Sequence, residues 1–513
     1  MAFTMALSCA ASWAARDFTP QAGTWVISSE VDGKPGRGLA IDVQGNTFFM
    51  QVFGYEKLGP ATFYTATGQL EGNTVTAPLV RYQGGRSFGS DARDAVEDGS
   101  PGSVTVSFAN GLQGTVQFPG DEEMAIKRFE MRSADFVSNY WEMGRPRHFI
   151  GAVMDADLRS RWAVTMGIWK SGDPAGWRLS IGGLHSRYSY GGKEFSCVQV
   201  EGKDAFRCTS DGVQPSEYQG PDIRSIDVNI FNIDVAGVVE IQDRGAVQAY
   251  QMMGVAVATS NGLSTIGCTS YEDVYVGDIR NCRRAVTPSS GTWVVEDELL
   301  GKPGRGLAID VQNGMALAQV FNYLPGGAPT FHMGSGAYKG IETRFALNRY
   351  EGGRALGGSA SSAQLVDTAG ELAMKFSSGD AELELPSRVR GSAQLPGEPD
   401  KRIVRMALEP GATTAQGLLG QWWLLFWTEG QGNEVQLVTL TQVVGDEARS
   451  EDGSIRCSRP DPVFPSRATC VWHRGGFTSQ AYLFQEPGNR SGSVLQVRDR
   501  HGNWMGLGNV PLD

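Results

Sequence analysis

Apolar residues along this chain recur mainly at every second position, in runs too short for helices. In Leu39-Ala-Ile-Asp-Val-Gln44 the apolar Leu39, Ile41 and Val43 alternate with Ala40, Asp42 and Gln44, the period of a half-buried strand. Gly45-Asn46 follows, then a second run, Thr47–Phe53. A Gly/Asn dipeptide tolerates positive φ, as a two-residue hairpin turn demands. Further strands are expected at Thr24–Glu30, Ala61–Gly68, Thr74–Tyr82, Val104–Phe108, Gly114–Phe118 and Met124–Phe129. Roughly eight short antiparallel strands in such a stretch suit a small up-and-down barrel or a sandwich. Helical periodicity is weak, with short helices conceivable only at Arg132–Met143 and Asp400–Leu408.

The pattern then repeats. Gly33–Gln44 reads GKPGRGLAIDVQ, and Gly301–Gln312 reads the same residues, at an offset of 268 (33 to 301). Trp25 matches Trp293, Tyr55 matches Tyr323, Tyr82 matches Tyr350 and Phe108 matches Phe376. A weaker repeat lies downstream: Trp162 and Cys197 match Trp422 and Cys457, Cys208 matches Cys470, and Gly237–Arg244 resembles Gly492–Arg500. Self-similarity at a fixed offset marks duplicated structural units. The expected organisation is all-β, with tandem small antiparallel barrel or sandwich modules in the order A-B-A′-B′. Module A spans 19–131, B 158–259, a connector 260–286, A′ 287–390 and B′ 416–513.

Length agrees, since 513 residues exceed what one hydrophobic core organises. The first fifteen residues, MAFTMALSCAASWAA, are apolar and uncharged and end in small residues, as the later parts of a secretory signal do; Cys9 is an alternative lipid-anchor site. No later segment has the apolar length of a membrane helix. Six other cysteines, Cys197, Cys208, Cys268, Cys282, Cys457 and Cys470, fall in close pairs. Behind an export signal they read as disulfides. The repeat selects 197–208 and 457–470 as one bridge occurring twice, leaving 268–282 in the connector.

The order Gly-Thr-Trp25, Gly36-Arg37-Gly38, Ile41–Gln44, Tyr55, Phe63-Tyr64 and Arg81-Tyr82 before Gly84-Gly85 resembles a repeat module of exported proteobacterial proteins. That family is largely uncharacterised, so the resemblance implies export and a β fold and no reaction. Trp25, Arg37, Asp42 and Gln44, with Trp293, Arg305, Asp310 and Gln312, form the repeat signature.

A net charge of −11 without a basic run excludes nucleic acid as a main partner. Gly85-Arg-Ser-Phe-Gly89 fits the nucleophile-elbow pattern, but the second copy has Ala355 in place of Ser87, and no helix follows. The five histidines are scattered, and none recurs at its repeat equivalent; His332, for example, stands where Tyr64 stood. Cys470…His473 lacks a second half-site for zinc, and Asp155…Asp157 lacks further oxygens for calcium. Asp42 and Asp310 are the best carboxylates for acid/base work. The simpler expectation pairs them with Arg37 and Arg305 to order a hairpin. Asp121-Glu122-Glu123 is absent from the second copy and reads as a solvated turn.

Aromatics are the remaining candidates. Trp169, Trp177, Trp423 and Trp427 could present flat faces to a sugar or a partner protein, whereas Trp162 and Trp422 suit a core. No catalytic residue, metal ligand or cofactor is assigned. The leading expectation is an exported binding or surface-structural protein whose partner is a glycan, an envelope protein or the protein itself. Extracellular hydrolase and barrel-type carrier are the alternatives.

Overall fold

A computed structural model describes residues 20–496, apart from 132–146, 155–159, 184–192, 201–204, 213–220, 257–287, 378–388, 409–414, 429–431, 459–466 and some shorter turns. The proposed signal segment, Cys9, the Cys268/Cys282 connector and the possible helix at 132–143 lie outside these residues.

The fold is all-β, and the repeat is visible in its topology. Module A runs from strand Gly23–Ile27 to Met124–Arg128. Its first and last strands pair at Trp25↔Arg128, and Ala61–Gln69 pairs with Thr74–Gln83, which closes the sheet into a barrel. Module B closes as an eight-stranded barrel from Arg147–Met154 to Ala246–Ala256, and A′ closes likewise from Gly291–Val295 to Asp400–Arg405. B′ forms a seven-stranded sheet from Gly420–Thr428 to Asn489–Gln496, bridged back on itself at Trp427↔Gln480.

Two boundaries and one element differ from expectation. A′ does not end at 390, because Arg390–Gln394 and Asp400–Arg405 supply its last two strands. The segment at 400–408 is therefore a strand rather than a helix; Ile403 and Arg405 alternate with exposed or half-exposed neighbours. B begins before 158, since Arg147–Met154 pairs with both Ser160–Gly172 and Ala246–Ala256.

Alternation explains the barrels. In A, the inward residues include Trp25, Leu39, Ile41, Val43, Met50, Val52, Val104, Val106 and Ile126, all buried in one cluster. Trp25 stands edge-on to Phe108 at 5.5 Å, as Trp293 does to Phe376 at 5.3 Å. Each indole N–H also donates to a preceding carbonyl, Trp25 to Gln21 and Trp293 to Ser289, both at 2.9 Å. The signature tryptophans are thus core pillars. Burying an aromatic side chain of this size contributes about 2–3 kcal/mol or more.

In B, Cys197 and Cys208 stand directly opposite on neighbouring strands and are bonded; Cys457 and Cys470 repeat this in B′. Both bridges lie within their module's core. In the chain-entropy picture such a short loop stabilises by about 3 kcal/mol.

Candidate functional site: the seam between the two A modules

Strand Gly38–Gln44 departs from the half-buried expectation, because all seven of its residues are buried. Leu39, Ile41 and Val43 fill the barrel. Ala40, Asp42 and Gln44 face outward, onto the other copy. The strand Gly306–Gln312 of A′ does the same toward A.

Asp42 meets Arg405, which ends the last strand of A′. The guanidinium donates from Nη1 to Oδ2 at 2.5 Å and from Nη2 to Oδ1 at 2.7 Å, and the Thr292 amide adds 3.0 Å to Oδ2. Asp310 meets Arg128 of A in the same way, at 2.5 and 2.7 Å, with the Thr24 amide at 2.9 Å. Burial alone would raise the Asp310 pKa. The adjacent Arg128 charge and its hydrogen bonds, with those of Thr24 and Gln312, instead hold it below the ordinary carboxylate value. The glutamines complete the strip. Gln44 donates to Met406 O at 2.8 Å and accepts from Leu408 N at 2.7 Å. Gln312 donates to Phe129 O at 2.9 Å and accepts from Met131 N at 3.1 Å.

Arg37 is not the partner of Asp42. It is buried and binds Glu30 at 2.6 Å and Asp121 at 2.6 Å, while Arg354 of A′ reaches the same two carboxylates at 2.9 and 2.8 Å. The mirror cluster joins Arg305, Glu298 and Glu398, with Arg86 of A arriving at 2.9 and 3.3 Å. Burial works against the Arg305 charge, but its bonds to Glu398 and Glu298 outweigh that and raise its pKa; Glu298 and Glu398 are lowered. Asp121 is therefore no solvated turn: its side chain is buried. It does have a counterpart, Glu398, since PGD at 119–121 matches PGE at 396–398 once the offset becomes 277 (128 to 405).

Between these charged clusters lies an apolar patch built from both copies: Ala40, Phe53, Tyr55 and Phe63 of A with Ala308, Phe321, Tyr323 and Phe331 of A′. Phe53 lies 5.4 Å from Phe331 and Phe63 5.5 Å from Phe321. Gly85 presses on the Tyr323 ring, where an added Cβ would stand 2.2 Å from a ring carbon; Gly353 presses on Tyr55 at 2.1 Å. Only glycine fits there. The turns are tied reciprocally, Gly84 N to Gly327 O and Gly352 N to Gly59 O, both at 2.7 Å. Residues 85–89, which match the nucleophile-elbow pattern, are thus a cross-seam plug, with Ser87 buried.

The clamps, arginine clusters and glycine–tyrosine contacts just described each occur twice with the copies exchanged, as across the two-fold axis of a homodimer. Chemically this site is a clamp. Asp42 and Asp310 are buried, chelated by arginine and closed to solvent, with no open position for a substrate proton. Among the described residues no group of three His, Cys, Asp or Glu could hold a metal.

The tryptophan candidates lie in the B modules. Trp177 is half-buried, packs on the B core and stands 4.8 Å from Phe206, opposite Cys197. Its ring thus packs beside the strand that carries the disulfide. Trp169 is half-buried on Ser160–Gly172, a strand beside Gly432–Val444 of B′. Trp423 and Trp427 lie on Gly420–Thr428 with Trp422. The side chains of those three, and of Trp162, lie outside the described residues. The seam partners Arg128, Arg405 and Glu398 escaped sequence reasoning. The resumed repeat at 390–408 was the signal for them.

No family model and no curated protein matches this chain.

Proposed function

We propose that this is an exported, non-catalytic binding or surface-structural protein. The paired A modules form its rigid hub, and the disulfide-stapled B modules carry contacts to a glycan, an envelope protein or further copies. One observation carries the reading: the carboxylates and arginines retained in both copies, which an enzyme would reserve for chemistry, are engaged in locking the halves together. A carrier role has less support, since the barrel interiors of A, B and A′ are filled by their own side chains. The duplicated cystines and the apolar first residues support export, as does the resemblance to exported proteobacterial repeat modules. Two B-type modules on one hub double the valency of any contact and raise avidity without new chemistry.

Co-purification of the intact chain from its native envelope and culture fluid, with the bound species identified, tests the reading. Recovery of a polysaccharide or envelope protein at stoichiometric yield is expected. Turnover of any member of a polymer panel by the purified chain would overturn it.

A further inference from the structure

Two pairs of counterpart positions in the seam differ between the copies, and they differ together. The plug turn of A sends Phe88 onto the core of A′, where its ring lies 4.9 Å from that of His332. The plug turn of A′ sends Leu356 onto the core of A, in the cluster that contains Tyr64. Positions 88 and 356 are counterparts, as are 64 and 332. The larger plug therefore meets the smaller ring, and the smaller plug packs on the cluster that holds the larger one. Around these mouths Gln51 and Gln319, Thr62 and Thr330, Phe53 and Phe321, Tyr55 and Tyr323 are identical pairs, while Gly54 and Asn322, Thr65 and Met333, and Ser87 and Ala355 also differ.

We propose that this exchange is compensatory and sets partner choice: each A-type surface fits the unlike copy better than its own kind. Pairing two A modules would set Phe88 against Tyr64 at both mouths, and overfilled cores force side chains off their rotamers. Pairing two A′ modules would set Leu356 against His332 at both mouths, leaving a gap beside a buried imidazole. Specificity arises from these two misfits, since the clamps of Asp42 and Asp310 are common to every combination. The partner selected is the complementary half of this chain, in cis or from a second copy. Like-with-like stacking of chains is disfavoured.

Four double variants of the full chain test this with the same substitutions in different combinations. The cross-seam doubles, Phe88→Leu/His332→Tyr and Tyr64→His/Leu356→Phe, each recreate a pair that already exists at the other mouth. The within-copy doubles, Tyr64→His/Phe88→Leu and His332→Tyr/Leu356→Phe, make both mouths alike and mismatched. Thermal unfolding should place the cross-seam doubles within about 2 °C of the parent and the within-copy doubles at least about 5 °C lower. Failure of only the within-copy doubles to fold supports the proposal equally. Equal losses in all four, or cross-seam doubles that fail to fold or lose the sum of their single variants, overturn it.

Discussion

Strand Gly38–Gln44 of A is buried at all seven positions, whereas Lys193–Gln199 of B alternates buried and exposed, with Val198 73% exposed. That difference matches how far each repeat has diverged. Gly33–Gln44 is letter-for-letter the same in A′, while B and B′ share mainly a tryptophan, two cysteines and a loose strand pattern. A strand with one face in a core and the other against its own duplicate has no free face on which to drift. In B a strand such as Lys193–Gln199 has one face open, so only its inward half is held. The modules also differ in what secures them: A and A′ contain no cysteine and rely on the seam, whereas B and B′ carry a cystine each.

Breaking the seam should have the largest effect. Asp42→Ala leaves Arg405 charged and buried, and Asp310→Ala does the same to Arg128; each is expected to cost about 3–5 kcal/mol. The check is urea unfolding, in which both variants should lower the midpoint of A and A′ together. A loss confined to one barrel would mean the modules do not unfold as a unit.

Cys197→Ser/Cys208→Ser should cost about 3 kcal/mol, and the loss should stay within B. Hydrogen exchange would show strands Lys193–Gln199 and Ala205–Ser210 opening while Gly38–Gln44 stays protected. Exchange rising equally in A would erase the contrast between a seam-held and a disulfide-held module.

Acid should act on the seam in two stages. Burial and Arg349 press the His332 pKa down to about 4 from 6.5, against a smaller opposing pull from Asp367. The unfolded chain takes up this proton at higher pH than the folded one, so stability falls between about pH 6.5 and 4, by at most roughly 3 kcal/mol. Asp310, Glu298 and Glu398 have the familiar carboxylate sign. Their folded pKa values are depressed, so the stability they contribute is present above their unfolded values and disappears as pH falls below them. Melting across pH should show the first stage vanish in Phe88→Leu/His332→Tyr while the second persists.

Val198→Ser, on the open face of B, sharpens the comparison from the other side. It should change stability by no more than about 0.5 kcal/mol. A loss of several kcal/mol in a melt would mean that this face is covered by something.

Much of this was legible in the residues, and the failures have one cause. Period-two alternation and Gly/Asn turns located the strands of A, because hairpins are local. The duplicated cysteines named their own partners for the same reason, lying on adjacent strands. Asp42 was recognised as a retained, structural carboxylate but was paired with Arg37, the nearest arginine in sequence. Its true partner, Arg405, lies 363 positions away. Asp121 looked like surface because acidic turns usually are, until Arg354 arrived from the other copy.

By itself, then, the sequence determined the all-β class, the module order, the cystines of B and B′ and the inward face of Leu39–Gln44, since those follow from contacts between neighbours along the chain. Only the tertiary structure decided what the outward face of A touches. A two-fold seam joins residues far apart in number, and a buried outward polar residue is written in the same letters as an exposed one. What distinguishes them is whether a second surface removes the water, and here that surface is the chain's own copy.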